Sequence, residues 1–220
     1  MAALPRSRDV PARAHQLPHT RASRSDWVDA ALAMLIGDGA AGVKVARLAD
    51  RLGVRRSSFY WYFEGRDDLD AALLDVWESR NVGPIVEHAS ADAPTITAAM
   101  LQVFRCWADP SLFDSRLEFA VRGWAGLDER VRERLHIADE RRVGALVDMH
   151  RRHGDDETTA TVRARVHYHA QIGMYALGVD ESMDERLRLT PTYVAVFAGT
   201  PASPAELDSF STWVRSLPAH

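Results

Sequence analysis

Apolar residues recur at intervals of three and four along most of the chain, and the strict alternation typical of strands does not persist anywhere. Ser, Asp, Gly and Pro residues mark where the periodic runs begin and end. The pattern predicts helices from near Ser25 to Gly37 or Gly39, over about residues 45 to 52 and 55 to 62, from Arg66 to just before Gly83, from Pro94 or Thr95 to Asp109, after Pro110, over about residues 128 to 152 and 156 to 177, and from Ser203 onward. We therefore expect an all-α fold without internal repeats.

The second and third predicted helices form a helix-turn-helix pattern. Their apolar positions are Leu48, Ala49, Leu52, Val54, Phe59 and Phe63. Two short helices that cross steeply need a small residue where their backbones approach, and Ala49 supplies it. Gly53 supplies the positive φ that the turn between them needs.

The outer face of the third predicted helix has an unusual set of polar and aromatic residues. When Phe59 faces inward, steps of about 100° per residue place Ser57 and Trp61 on the outer surface. Its margins carry Arg55, Arg56, Ser58, Tyr60 and Tyr62. Guanidinium groups, hydroxyl groups and aromatic rings suit the phosphates and base edges of a major groove. The pattern predicts a DNA-binding surface; the alternative is an ordinary three-helix core with solvated arginines.

The net charge of −4 hides an asymmetry between the two ends of the chain. Residues 1–63 hold ten Lys or Arg against five Asp or Glu, which gives +5, and the remainder holds 17 against 26, which gives −9. Basic character therefore accompanies the helix-turn-helix pattern. Because the basic excess is modest, we expect two units to act together as a dimer.

Other features of composition bear on the compartment. No apolar run approaches the roughly 20 residues that span a bilayer, and the N-terminus lacks the apolar core of a signal peptide. The single cysteine, Cys106, excludes an intramolecular disulfide and is better explained as a small core residue than as a redox sensor. We expect a cytoplasmic protein with no membrane contact.

Four pairs or runs of residues, in register, resemble the tetracycline-repressor (TetR) family of bacterial transcription regulators. They are Leu48-Ala49, Gly53-Val54, Tyr60-Trp61-Tyr62-Phe63 and Arg66-Asp67-Asp68-Leu69. The resemblance covers residues 24 to 77 and implies a transcription regulator that binds double-stranded DNA.

The resemblance also implies roles for individual residues. Tyr60, Tyr62 and Arg66 are expected to contact phosphates. Sequence discrimination is expected from Arg55, Arg56, Ser57, Ser58 and Trp61. The chain departs from the family pattern at Tyr62, where His is more frequent, at Arg66, where Lys is usual, and at Val43-Lys44, where hydroxyl residues commonly cap the second helix. The last departure either weakens that cap or lets Lys44 bind phosphate itself.

The segment from Phe119 to Tyr175 resembles the regulatory half of one subgroup of the family, which binds a small effector and forms the dimer. Small residues on the 156–177 helix and an apolar seam on the last helix agree with close packing, and we predict the homodimer interface at these two helices. The small residues are Ala160, Ala164, Gly173 and Ala176. The alternative is that both helices complete the intrachain core.

Three segments follow from these arguments. Residues 1–22 lack apolar periodicity and are predicted to be a disordered basic arm that contacts phosphates or a minor groove. Residues 23–82 are predicted to form the DNA-binding domain, and residues 83–220 the effector-binding and dimerisation domain. The boundary is placed at Gly83-Pro84 because this pair does not continue a helix.

Candidate effector ligands on converging helices are Phe104, Trp107, Trp124, His167 and Met174. Arg142 joins them because it interrupts the apolar stripe of the 128–152 helix. Either Arg142 forms an ion pair with a carboxylate such as Glu118, or it anchors an acidic effector.

Sites of other chemistry find little support in the sequence. His167 and His169 lie about 200° apart on a helix and do not share an ion, and His150 and His153 have no third ligand nearby in sequence. No phosphate loop, nucleophile elbow or dinucleotide fingerprint occurs, so we expect neither a metal, a cofactor nor an enzyme. The best reading is a repressor that a small molecule releases from a palindromic operator; the alternatives are an effector-independent structural DNA-binding protein and, less favoured, a helical-bundle enzyme.

Overall fold

The computed structural model describes residues 22–179 and 181–218 and contains helices but no strand within them. The α-helices are α1 Arg24–Asp38, α2 Val45–Leu52, α3 Arg66–Trp77, α4 Gly83–Ser90, α5 Ile96–Ala108, α6 Ser115–Ala125, α7 Glu129–Arg152, α8 Glu157–Ala176, α9 Met183–Ala198 and α10 Pro204–Arg215. The prediction of an all-α fold is confirmed. Apart from Ala22, the predicted basic arm lies outside the described residues.

The first helix begins earlier than the sequence predicts, because Ser23 rather than Ser25 caps it. The Ser23 hydroxyl accepts a hydrogen bond from the Asp26 N–H at 3.2 Å, and the Asp26 carboxylate accepts one from the Ser23 N–H at 2.7 Å. This reciprocal pair is a capping box. The helix ends where Gly39 adopts a φ of 70°.

The third predicted helix is a 3₁₀-helix, Arg56–Trp61, and not an α-helix. Its backbone bonds join residues three apart, as in Ser58 N–H to the Arg55 carbonyl at 3.0 Å. The Ser58 hydroxyl donates to the same carbonyl at 2.6 Å. Because the Arg55 carbonyl already accepts these two bonds, it is not available to the Phe59 N–H, which would be its partner in an α-helix. The prediction that the segment is helical holds, but its pitch is tighter than predicted.

The predicted helix end before Gly83-Pro84 is wrong, because helical backbone continues from Arg66 to Ser90. A five-residue π-turn, Glu78–Val82, joins α3 to α4, and the Gly83 N–H donates to the Glu78 carbonyl five residues earlier. The wider turn places Pro84 in the first turn of α4, the part of a helix that best tolerates a residue without an N–H.

The apolar core divides near the same turn. One cluster joins residues between Trp27 and Val82 to apolar side chains of α6 and α7, and a second begins at Ile85 and continues to Val214. The helix α6 therefore packs against α1 and α3 of the N-terminal unit, and α7 packs against the π-turn as well as against α4 and α8.

Two expectations for the C-terminal half need correction. The helix α9 was not predicted, and Pro191 lies inside it at an exposed position. On α8, apolar periodicity alone would bury Val162 and Val166, but both are exposed. The residues that α8 buries are Ala160, Ala164, His167 and Tyr168.

Candidate nucleic-acid interface and apolar cavity

Aromatic packing fixes the 3₁₀-helix from below. Phe59 is fully buried, with its ring 5.4 Å from Trp27 in an edge-on arrangement and 5.0 Å from Phe63 in a stacked one. The turn before it is held by Gly53, whose φ of 66° confirms the predicted left-handed conformation. The segment is therefore held rigidly against α1.

The outer face of the segment presents two aromatic side chains to solvent. Tyr60 is 56% exposed and Trp61 is 66% exposed. Because a 3₁₀-helix has three residues per turn, Ser57 lies in line with Tyr60, and Ser58 in line with Trp61. Arg55, Arg56 and Ser57 are exposed, and Ser58 and Tyr62 are half-buried.

The N-terminus of α2 lies open next to this unit. Lys44 is its N-cap residue, is exposed, and makes no side-chain hydrogen bond to the helix N–H groups. Uncapped N–H groups at a helix start attract anions, and a lysine there adds a positive charge.

The predicted phosphate contact Arg66 makes several contacts inside the protein. Its Nε donates to Asp70 at 2.6 Å, and its Nη atoms donate to the carbonyls of Val43 and Ala40. Its side chain is 35% exposed. These bonds tie the start of α3 to the segment that leads into α2, so Arg66 positions the helix-turn-helix.

A buried ionic network lies where the N-terminal unit meets α6, α7 and α8. The Glu118 carboxylate accepts two hydrogen bonds from Arg142, each at 2.9 Å, and both side chains are fully buried. Arg122 and Asp139 extend the network, and the Tyr168 hydroxyl donates to Asp139 at 2.6 Å. Of the two alternatives for Arg142, the structure therefore contains the ion pair with Glu118.

The same network holds the end of the DNA-binding unit. Trp77 Nε1 donates to Glu118 at 2.8 Å, and Asn81 Nδ2 donates to it at 3.1 Å. Burial alone raises the pKa of Glu118, but the charges of Arg142 and Arg122 and the hydrogen bonds outweigh burial and hold that pKa below its ordinary value. Glu118 is therefore an ionised carboxylate that binds α3 and the π-turn to α6 and α7.

A mainly apolar cavity lies between α5, α8, α9 and α10. It has a volume of about 620 Å³, including the part that is open to solvent. Phe104, Trp107 and Met174, three of the predicted effector residues, line it.

The other three predicted effector residues lie elsewhere. Trp124 packs in the N-terminal apolar cluster, and Arg142 lies in the buried network. His167 stacks on the cavity residue Phe197, with ring centres 4.9 Å apart, and accepts a hydrogen bond from Trp107 Nε1 at 3.2 Å. Burial lowers the pKa of His167 to about 3, so its ring is neutral and forms the second layer behind the cavity wall.

Sequence reasoning missed the side of the cavity that α9 supplies. Glu181, Arg186, Tyr193 and Phe197 line the cavity from this helix and from the residue before its cap. The signal was present as Ser182, which caps α9, followed by apolar residues at helical spacing.

The described residues contain no group of three or more His, Cys, Asp or Glu side chains placed to hold a metal ion. The two histidines whose spacing alone would allow a shared ion have separate partners: His150 Nδ1 bonds to Asp155 at 3.0 Å, and His153 Nδ1 bonds to the Met149 carbonyl at 2.8 Å. Within the same part of the chain, no helix combines the length and apolar character that crossing a membrane requires.

Comparison with known proteins gives one family and one fold. Residues 28–73 match the model of bacterial regulatory proteins of the tetR family. A crystal structure of a protein from Pseudomonas aeruginosa PAO1, provisionally assigned as a transcriptional regulator, is similar with a TM-score of 0.60 and 14% identity, over 90% of this chain and 97% of that one. At this identity the likeness is one of fold. No curated protein sequence matches.

Proposed function

Because this chain belongs, through its helix-turn-helix domain, to the tetR family of bacterial regulatory proteins, we propose that it is a homodimeric repressor that a small molecule releases from a palindromic operator. The observation that carries the proposal is the 3₁₀-helix Arg56–Trp61, whose buried face is fixed and whose outer face exposes Tyr60 and Trp61.

The exposed groups of this segment divide into two roles. Tyr60, the half-buried Tyr62 and Lys44 present donors suited to phosphates, which set position and add affinity for every sequence. Arg55, Arg56, Ser57, Ser58 and Trp61 form the part that reads base edges. Arg56 and Trp61 are the strongest candidates, since a guanidinium pairs with guanine and a ring contacts the thymine methyl group.

Selection of bound duplexes from a random pool, followed by fluorescence anisotropy, tests these roles. We expect a palindromic consensus with half-sites about 34 to 36 Å apart. Tyr60→Phe should weaken binding to all duplexes alike, whereas Arg56→Ala should relax preference at one base pair by about 1 to 3 kcal/mol. Arg188→Ala, which removes an exposed arginine of α9, is the matched control. Affinity that depends only weakly on sequence would instead support a structural DNA-binding protein.

The dimer is supported by apolar side chains that one protomer leaves uncovered. On α8, Val162 is 55% exposed and Val166 is 49% exposed, and on α9 Val196 is 63% exposed. We propose that this face of α8 packs on a second copy. The apolar residues Phe210 and Val214 of α10, by contrast, are buried within the protomer. Sedimentation velocity of Val166→Arg should show monomers, with Arg165→Ala, an exposed neighbour on α8, as the control. A monomeric unchanged protein would contradict the proposal.

Release by an effector is supported by the cavity of α5, α8, α9 and α10. An effector shifts DNA affinity only by its preference for the conformation that does not bind DNA, and a tenfold loss of affinity needs about 1.4 kcal/mol of such preference. A library of small molecules screened first for thermal shifts and then for displacement of the selected operator provides the test. Compounds that raise the melting temperature but leave operator affinity unchanged would exclude release as the mechanism.

A further inference from the structure

We propose that the cavity of α5, α8, α9 and α10 takes a flat, mainly apolar molecule of zero net charge that carries a hydrogen-bond donor beside an acceptor, as in an aromatic carboxamide or lactam. The inference rests on the proposed function only in that it names the effector class of that site. It is carried by an apolar wall and by two buried polar atoms to which the described residues offer no partner.

The wall of the cavity sets the apolar part of the ligand. Five aromatic rings line it: Phe104, Trp107, Tyr193, Phe197 and Phe210. Phe104 lies edge-on to both Phe197 and Phe210, with ring centres 6.3 and 6.5 Å apart. A cavity bounded by ring faces and edges favours a planar apolar guest, because aromatic pairs gain from stacked and edge-on contacts.

The first polar atom belongs to Glu181, the residue before the α9 cap. Its Oε2 is buried and accepts no hydrogen bond from any residue that the structure describes. A buried acceptor without a partner costs about 1 to 3 kcal/mol, more when it is charged, so a ligand donor placed there removes a penalty. Glu181 lines the cavity, which makes the cavity the place from which that donor comes.

The second polar atom belongs to Arg186, in the first turns of α9. Its Nε is also buried and without a partner among the described residues. Its Nη1 donates to the Trp107 carbonyl at 3.4 Å, a contact that holds the guanidinium at the cavity edge. The Nε–H therefore requires an acceptor, and Arg186 also lines the cavity.

The two side chains together set the ligand charge. A carboxylate ligand would satisfy Arg186 but would meet Glu181, and an ammonium ligand would satisfy Glu181 but would meet Arg186. A neutral ligand that carries both an N–H and a C=O offers a partner to each atom, and it brings no net charge into an apolar site, where an unbalanced charge is costly.

Isothermal titration calorimetry of the full-length protein with four naphthalene probes tests the class. The probes are 2-naphthamide, 2-naphthoate, 2-naphthylmethylammonium and 2-methylnaphthalene, which share the ring system and differ in the polar group. We expect 2-naphthamide to bind at least about tenfold more tightly than the other three, the factor that corresponds to about 1.4 kcal/mol.

Two variants exchange the preference, and a gain of binding does not arise from misfolding. Glu181→Gln leaves Arg186 unbalanced, so 2-naphthoate should gain about tenfold. Arg186→Gln leaves Glu181 unbalanced, so 2-naphthylmethylammonium should gain by the same factor. The matched controls are Glu185→Gln and Arg188→Gln, which remove the same charges from an exposed ion pair on the same helix and should change no preference.

Each result has a defined meaning. Tightest binding of a charged or purely apolar probe, no binding of 2-naphthamide at about 1 mM, or unchanged preferences in both variants would overturn the ligand class. Because these titrations contain no DNA, such a failure leaves the proposed function to its own test, which is operator binding. Conversely, if the protein bound 2-naphthamide as expected but bound no duplex, the proposed ligand class would stand and the proposed repressor function would be wrong.

Discussion

Replacing Arg142 by Met leaves the Glu118 carboxylate buried without its bidentate partner. Both side chains have no exposed surface, and two hydrogen bonds of 2.9 Å join them. Arg122 still pairs with Glu118, at 2.8 Å, and offsets part of the loss. Removing one partner of a buried ion pair typically costs about 3 to 5 kcal/mol, and we expect the lower half of that range.

The double variant Arg142→Met/Glu118→Gln distinguishes the cost of losing the ion pair from the cost of changed side-chain packing. The amide that replaces the carboxylate in this variant keeps an oxygen for Trp77 but carries no charge, so the remaining buried group is no longer ionised. We expect it to recover at least about 1 kcal/mol relative to Arg142→Met alone. Urea denaturation followed by circular dichroism at pH 7 measures all three proteins, provided that the slope with urea is unchanged.

The pH dependence of stability gives an independent check that Glu118 is ionised and stabilised by Arg142. In the unchanged protein the pKa of Glu118 lies below its ordinary value of 4.5, so its stabilisation is present above that pH and is lost as the pH falls through the lower folded pKa. In Arg142→Met burial dominates and raises the Glu118 pKa, so protonation relieves the penalty. The stability difference between the two proteins should narrow as the pH falls from 7 towards 4.5. A cost below about 1 kcal/mol for Arg142→Met, or a double variant less stable than the single one, would refute the reasoning.

Three further outcomes test single groups. Arg66→Lys should lose about 1 to 2 kcal/mol in urea denaturation because an ammonium cannot reach Asp70 and two carbonyls together, and equal stability would contradict the positioning role. Burial lowers the pKa of His167 from 6.5 to about 3, so the unfolded chain takes up a proton that the folded protein refuses, and stability should fall below pH 6.5 by up to about 1.4 kcal/mol per pH unit. His167→Gln should flatten that dependence, measured by urea denaturation between pH 7 and 5; an unchanged slope would argue against a buried neutral ring. Burial raises the pKa of the Cys106 thiol to about 12, so a thiol-specific colorimetric reagent at about pH 8 should modify it only in urea, and rapid modification without denaturant would contradict this.

The helix-turn-helix was predictable because its information is local. Gly53 marks a turn that needs a positive φ, and the large apolar side chains of Phe59 and Phe63 have the spacing of a buried face. Spacing alone could not distinguish an α-helix from a 3₁₀-helix. The choice follows from the hydrogen bond of the Ser58 hydroxyl to the Arg55 carbonyl and from the shortness of the segment, which has six residues.

The prediction of a helix end before Gly83-Pro84 failed for a non-local reason. By local rules a proline at position 84 should end an α-helix. A π-turn directly before it lets the helical backbone continue, and we find no sequence pattern that predicts this turn. The exposed Val162 and Val166 have the spacing of a buried stripe, and periodicity does not state whether a helix buries its face within the chain or against another molecule.

The cavity shows the same limit. Phe104, Trp107 and Met174 were predicted because aromatic and thioether side chains on helices often converge. Arg186 lies on α9 and Glu181 directly precedes its cap, and this helix, which contains Pro191, was not predicted. Arg142 was singled out because it is a charged residue in an apolar stripe. The sequence left open an ion pair or an anchor for an acidic effector, and only the position of Glu118 on the neighbouring helix α6 shows that the ion pair is present.

The unbroken backbone from Arg66 to Ser90 makes a lever with its pivot at Glu78–Val82. The twelve residues of α3, on the N-terminal side of that pivot, are about 18 Å long, so tilting them by about 5° carries the tip at Arg66 through about 1.6 Å. In the proposed symmetric dimer the two tips would move in opposite senses, and their spacing would change by about twice that amount. A tilt too small to disturb any helix would thus be enough to change the separation of the two proposed DNA-contacting segments.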